Sequence, residues 1–252
     1  MRLERRYGSG VFRHEGPSRS ATSNGILAGY LALIAGFVNS GGFVLLRTFT
    51  SHVTGSIGRL ANDVAATDWA AAILAAIFVV AFFGGAFVAS LLIESQRRRV
   101  ARAYGLALLL EALALVVFAV IASAARFEHA RALDAQAAIL CFAMGMQNSL
   151  VTNLSGAVVR TTHLTGVVTD LGIEASRWYF WFVSRRSAVG SERPATAKSA
   201  LLVTILIAFT AGAFSGALLT AHVGPLAMLV PIVALLMAAG YALVGGSSER
   251  DR

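Results

Sequence analysis

Thr50-Ser51-His52-Val53-Thr54-Gly55 and Thr161-Thr162-His163-Leu164-Thr165-Gly166 are two copies of one phrase, T-[ST]-H-[VL]-T-G. Each copy follows a long apolar run that carries an asparagine-serine pair, Asn39-Ser40 in the first and Asn148-Ser149 in the second. The likeness extends outward. Gly36 aligns with Gly145, Leu60 with Leu171, and Asp63 with Glu174. At a larger offset, Gly85-Ala86-Phe87 resembles Gly212-Ala213-Phe214, and a polar linker between the two accounts for the shift. The chain reads as an internal duplication.

The composition says where such a duplication belongs. Of 252 residues, 57% are hydrophobic and 13% charged, against about 25% charged in a soluble domain. The charge is clustered between long apolar runs, the pattern of a membrane protein. A net charge of +8 would point to nucleic acid in a soluble protein, but here basic residues mark cytoplasmic loops. No nucleic-acid partner is expected. The single cysteine, Cys141, lies within an apolar run, so no intrachain disulfide forms.

Six runs have the roughly 20 apolar residues a span needs: 25–46, 69–93, 103–125, 135–159, 200–221 and 223–245. Backbone groups in lipid must be satisfied within the segment, so every span is a helix. Placing the N-terminus in the cytoplasm puts 17 of the 21 lysines and arginines on the inner side, which fixes both termini inside. The first apolar run reads as a retained span, not a cleaved leader. Trp69 and the Trp178/Tyr179/Trp181 group fall at the expected interfaces. Residues 50–66 are too polar and short to span, and 161–183 contain Asp170, Glu174 and Arg177. Both read as short helices that dip into the membrane or lie along it. Residues 184–199 form a cytoplasmic linker, and His222-Val223-Gly224-Pro225 joins the last two spans as a hairpin.

The expected fold is therefore all-α: six transmembrane helices and two short membrane-dipping or interfacial helices. A basic tail (1–24) and a short tail (247–252) flank one membrane domain, 25–246, with repeats of about 25–125 and 135–246. Three spans per half is an odd number, so the second half enters inverted. A 3+3 inverted repeat is a recurring transporter design with its site near the midplane between the repeats.

Polar groups on this background carry the chemistry. Gly25, Gly29, Ala32, Gly36 and Asn39/Ser40 recur at helical spacing, as do Gly145, Asn148/Ser149, Thr152 and Ser155/Gly156. Such faces let helices approach closely and aim polar groups inward. Plain helix packing with amide cross-links explains them equally well. Thr54 and Thr165 look like N-caps, with Gly55 and Gly166 leaving the helix starts open to an acceptor. A bare cap on a surface helix, with His52 and His163 merely interfacial, is the competing reading. Arg59 aligns with Asp170 and suggests an ion pair across the pseudo-axis. Glu111 is the one acid deep in a clean span, where an ionised acid costs about 2.5–3.5 kcal/mol. It is either a coupling or solute-binding carboxylate or a buried structural partner. No H-E-x-x-H, phosphate-binding glycine loop, G-x-S-x-G or C-x-x-C occurs, and neither histidine has a second ligand at helical spacing. No enzyme chemistry, metal or cofactor is expected.

Ala143-Met144-Gly145-Met146-Gln147-Asn148-Ser149, followed by Arg160-Thr161-Thr162-His163-Leu164-Thr165-Gly166 and Thr169-Asp170-Leu171, closely resembles the second-half signature of the YoaK-type bacterial inner-membrane proteins. Gly36-Phe37-Val38-Asn39 leading to Thr54-Gly55-Ser56 resembles, more loosely, that family's opening signature. The family usually has aspartate at Asn39 and asparagine at Ser56. The resemblance covers about residues 24–246 and implies inner-membrane location and a polytopic fold, with little chemistry.

The expected function is binding and movement of a small solute or ion. Asn39, His52, Thr54, Gly55, Glu111, Gln147, Asn148, His163, Thr165 and Gly166 are the candidate binding residues. The alternative is a non-transporting membrane protein that assembles with or regulates another, or forms a homo-oligomer, through small-residue faces such as Gly212-x-x-x-Gly216.

Overall fold

The computed structural model describes residues 21–96, 99–124, 130–155, 162–184 and 195–247. Most of the N-terminal tail, most of the linker and residues 248–252 lie outside these, as do Gly156 and Thr161. Eight α-helices are present among the described residues: α1 (Ala21–Leu46), α2 (Val53–Ala65), α3 (Trp69–Ser95), α4 (Val100–Ala124), α5 (Ala130–Ser155), α6 (Leu164–Ser184), α7 (Thr196–Val223) and α8 (Leu229–Ser247). A 3-10 helix, Gly224–Met228, joins the last two. There is no strand among the described residues.

Among the described residues, four stretches are long and apolar enough to cross a membrane: Gly25–Leu46, Trp69–Ser95, Val100–Ala124 and Thr196–Val244. The fourth is 49 residues long and contains both α7 and α8. The chain is built as an integral membrane protein. Helix α5, expected as a span over 135–159, is not among the four. It carries Asp134, Gln136, Gln147, Asn148 and Asn153 among its apolar residues. The link expected over 222–225 falls later, since α7 runs on to Val223 before Gly224 takes φ +64 and ends it.

The stretches expected as short helices over 50–66 and 161–183 form α2, of 13 residues, and α6, which at 21 residues is longer than α8. The approach to α2 sets its position. Arg47 turns the chain at φ 56. Residues 47–52 then retrace the last turns of α1. Phe49 stacks on Phe43 at 4.3 Å, Thr50 lies beside Gly42, and Ser51 bonds Asn39. Helix α2 thus starts at the level of Asn39, about 10 Å back from the end of α1 at 1.5 Å per residue. At its far end Thr67 (φ 60) turns the chain again, and Asp68 caps α3 by accepting from the Ala71 N–H at 3.1 Å.

The core is made by helices from opposite halves. The most extensive packing is α1 on α7, α3 on α5, and α4 on α8. Successive contacts of α1 (Gly29 at Thr204, Gly36 at Phe209 and Ala213, Gly41 at Gly216 and Thr220) show that α1 and α7 run parallel. Gly84 and Gly85 at Phe142, and Ser90 on Ser149, show the same for α3 and α5. The glycines are required at these crossings. A Cβ on Gly36 would strike the Phe209 carbonyl, and one on Gly145 the Phe82 carbonyl. One on Gly85 would strike the Phe142 carbonyl, and one on Gly212 the Leu33 carbonyl. The contact made by Gly36 in one half is therefore made by its aligned partner Gly145 in the other, and likewise for Gly85 and Gly212.

Candidate functional site

The two phrases meet. Ser51, His52, Val53 and Thr54 from the first and Thr162, His163 and Thr165 from the second line one cavity of about 410 Å³, with Phe82 of α3 and Asn148 and Thr152 of α5. The starts of α2 and α6 both face it.

Each phrase is pinned by the asparagine of the preceding helix. The Asn39 side-chain oxygen accepts from the Ser51 hydroxyl at 3.0 Å and from its N–H at 3.3 Å. The Asn148 oxygen accepts from the Thr162 hydroxyl at 2.5 Å, while its amide donates to the Met144 carbonyl at 3.1 Å. Ser51 and Thr162 are equivalent positions of the phrase. The asparagines, expected to coordinate a solute, act first as anchors that hold the phrase against its own helix. Asn148 also lines the cavity, and Asn39 does not.

The helix starts differ from expectation by two residues. His52, not Thr54, occupies the N-cap position of α2, with no side-chain cap bond. The Ser56 N–H reaches the His52 carbonyl at 3.0 Å, and the Val167 N–H reaches the His163 carbonyl at 3.1 Å. Thr54 and Thr165 fall in the first turn because a histidine precedes the first helical residue in both copies. The glycines serve the histidines. A Cβ on Gly55 would lie 2.6 Å from the His52 Nδ1, and one on Gly166 would likewise strike the His163 imidazole. Each ring lies over the first turn of its helix in the space its glycine leaves.

Among the described residues, the lining contains no aspartate, glutamate, lysine or arginine. It offers two imidazoles, hydroxyls and an amide, with the positive ends of two helix dipoles facing in. Among the described residues, no three His, Cys, Asp or Glu side chains converge as a metal site.

Of the expected binding residues, His52, Thr54, Asn148, His163 and Thr165 share this cavity. Three others belong elsewhere. Gln147 is fully buried and its amide donates to the Leu31 carbonyl at 3.2 Å, tying α5 to α1. Glu111 is fully buried in α4 and does not line the cavity. Neither of its oxygens has a hydrogen-bond partner among the described residues. Asn39 supports from behind. Arg59 and Asp170 make no ion pair with each other among the described residues. The helix starts meet, so positions two turns further along are carried apart, and Arg59 is exposed. Glu174, on the same helix as Asp170, is paired: it is buried and bonded to Arg177 at 2.8 Å and Lys198 at 3.3 Å. With Trp178 donating to the Ser199 hydroxyl, it fastens α6 to the start of α7. Lining residues outside the expected binding set are Ser51, Val53, Phe82, Thr152 and Thr162. Ser51, Val53 and Thr162 sit inside the repeated phrase, and Thr152 lies one turn past Asn148. Phe82 carried no signal within its apolar run.

Fold and site together define an integral membrane protein with a polar cavity between duplicated segments. The chain belongs to the family described as protein of unknown function DUF1275, which it matches over residues 27–241. No curated protein and no solved structure matches it.

Proposed function

We propose that this is a carrier of a small solute or ion in a bacterial inner membrane, YoaK-type in its motifs. In this reading six helices, α1, α3, α4, α5, α7 and α8, cross the bilayer as a 3+3 inverted repeat with both termini cytoplasmic. Helices α2 and α6 dip into the membrane from opposite faces or lie along it. One observation carries it: both copies of the phrase line a single cavity. Two membrane-dipping segments that converge from opposite sides are the expected geometry of a site served alternately from each face. Parallel pairing of α1 with α7 and α3 with α5 supports it, because the first and second spans of oppositely inserted halves run in the same direction. The protein has no catalytic role in this reading. Its partners are the lipid bilayer and the solute. Assembly through Gly212-x-x-x-Gly216 is the weaker reading, since Gly212 and Gly216 already face the α1 backbone.

Cysteine accessibility tests the carrier. Cys141 is buried and is replaced by serine, and Thr165→Cys is introduced. A membrane-impermeant maleimide should label Thr165→Cys in sealed vesicles of either orientation. Labelling confined to one orientation would show a one-sided vestibule and end the carrier reading.

A further inference from the structure

The cavity also constrains what is carried, on the reading that it is the binding site. Its donors come in two equivalent sets. Each set has an imidazole (His52, His163) and a first-turn threonine (Thr54, Thr165), while the hydroxyl that precedes the histidine (Ser51, Thr162) already donates to its asparagine. A ligand with two equivalent acceptor atoms matches two equivalent donor sets.

Charge narrows the class. Among the described residues no aspartate or glutamate lines the cavity, so no carboxylate is there to pair with a cation or with the ammonium of an amino acid. Among the described residues no lysine or arginine lines the cavity, so no permanent positive charge is there to balance a dianion. One negative charge suits imidazole and hydroxyl donors with the positive ends of two helix dipoles. Shape narrows it again. About 410 Å³ is far more than a bare inorganic ion fills and lies within the range of organic-ligand pockets, about 300–1,000 Å³. Phe82 and Val53 supply an apolar wall among the hydroxyls. We propose that the cavity formed by the two repeated phrases binds a small organic monocarboxylate, its two oxygens shared between the two donor sets and its carbon body against Phe82 and Val53. The cavity and its paired side chains carry this inference, and the helix starts add to it.

The test uses detergent-purified full-length protein at constant ionic strength. Thermal shift and calorimetry are read with straight-chain monocarboxylates from formate to butanoate, each beside its neutral amide, with chloride and sulfate as further probes. Saturable stabilisation by at least one carboxylate is expected, its amide binding about tenfold or more weakly, as lost charge-assisted hydrogen bonds require. Thr54→Val with Thr165→Val keeps side-chain shape and should weaken that carboxylate about tenfold. His52→Gln with His163→Gln should weaken it similarly and serves if the valine pair does not fold. An amide that binds as well as its acid overturns the carboxylate while leaving a solute site in place. Equal binding of chloride or sulfate overturns the organic class. No shift with any acid or amide overturns both this inference and the binding site. Unchanged carboxylate affinity in folded variants overturns the placement.

Discussion

At the residue scale, the repeated phrase is a device for suspending a histidine over an open helix start. Asn39 and Asn148 hold the strand, and Gly55 and Gly166 clear room for the ring. The two kinds of residue should fail differently. Asn39→Ala removes the acceptor for two Ser51 donors and should cost about 1–3 kcal/mol, read as a lowered unfolding temperature in detergent. A substitution without effect would show that Ser51 is held by other means. In Gly166→Ala the new methyl meets a side chain that can swing away, so the unfolding temperature should change little, and on the proposed carrier reading the solute affinity should fall. Equal affinity would detach His163 from binding. Glu111 poses the opposite case, a fully buried acid whose oxygens lack partners among the described residues. Glu111→Leu should raise stability by about 1–3 kcal/mol. A loss of stability instead would reveal a bonded carboxyl. Half the site was legible at this scale because duplication marks residues that packing alone does not require twice. Phe82 was not, because one aromatic in an apolar run looks like any lipid-facing or core residue until its neighbours are placed.

At the element scale, the crossings are close because glycines face carbonyls. Parallel pairing of α3 and α5 brings the Ser90 and Ser149 hydroxyls to 2.8 Å. In a Cys141→Ser background, Ser90→Cys with Ser149→Cys should form a disulfide on mild oxidation, since side chains this near meet the reach of the bond. Failure of the pair to link, with each cysteine separately reactive, would refute the parallel register. The glycine faces on α1 and α5 were readable from their three-and-four spacing, but their partners were not. Spacing shows which side of a helix is small, not which helix comes to it. The Arg59–Asp170 pairing failed for the same reason. Alignment of two repeats identifies equivalent positions, not positions in contact. The two phrases share a cavity, while Arg59, two turns beyond its phrase, is exposed.

At the scale of the whole molecule, neither half encloses its own core. Helix α1 closes on α7, α3 on α5, and α4 on α8. Coexpressed fragments divided within 125–129 should therefore copurify, while either fragment alone should be degraded. A first half that accumulates folded on its own would contradict the packing. The apolar runs made the membrane class and most helices plain from sequence, because length and hydropathy are local properties. The exchange of partners was not visible, being a property of where helices meet. It bears on biogenesis. Gly36 leaves the ribosome 176 residues before Gly212, the residue whose helix covers it. At about 5–20 residues per second that is an interval of roughly 9–35 s. Throughout it α1 stands in the bilayer with a bare glycine face and a suspended polar strand, exposed to any other helix that passes. Delayed closure of this kind leaves that face open to wrong pairing until the second half is made, so slowing translation of the second half should lower the yield of folded protein, read by size-exclusion chromatography.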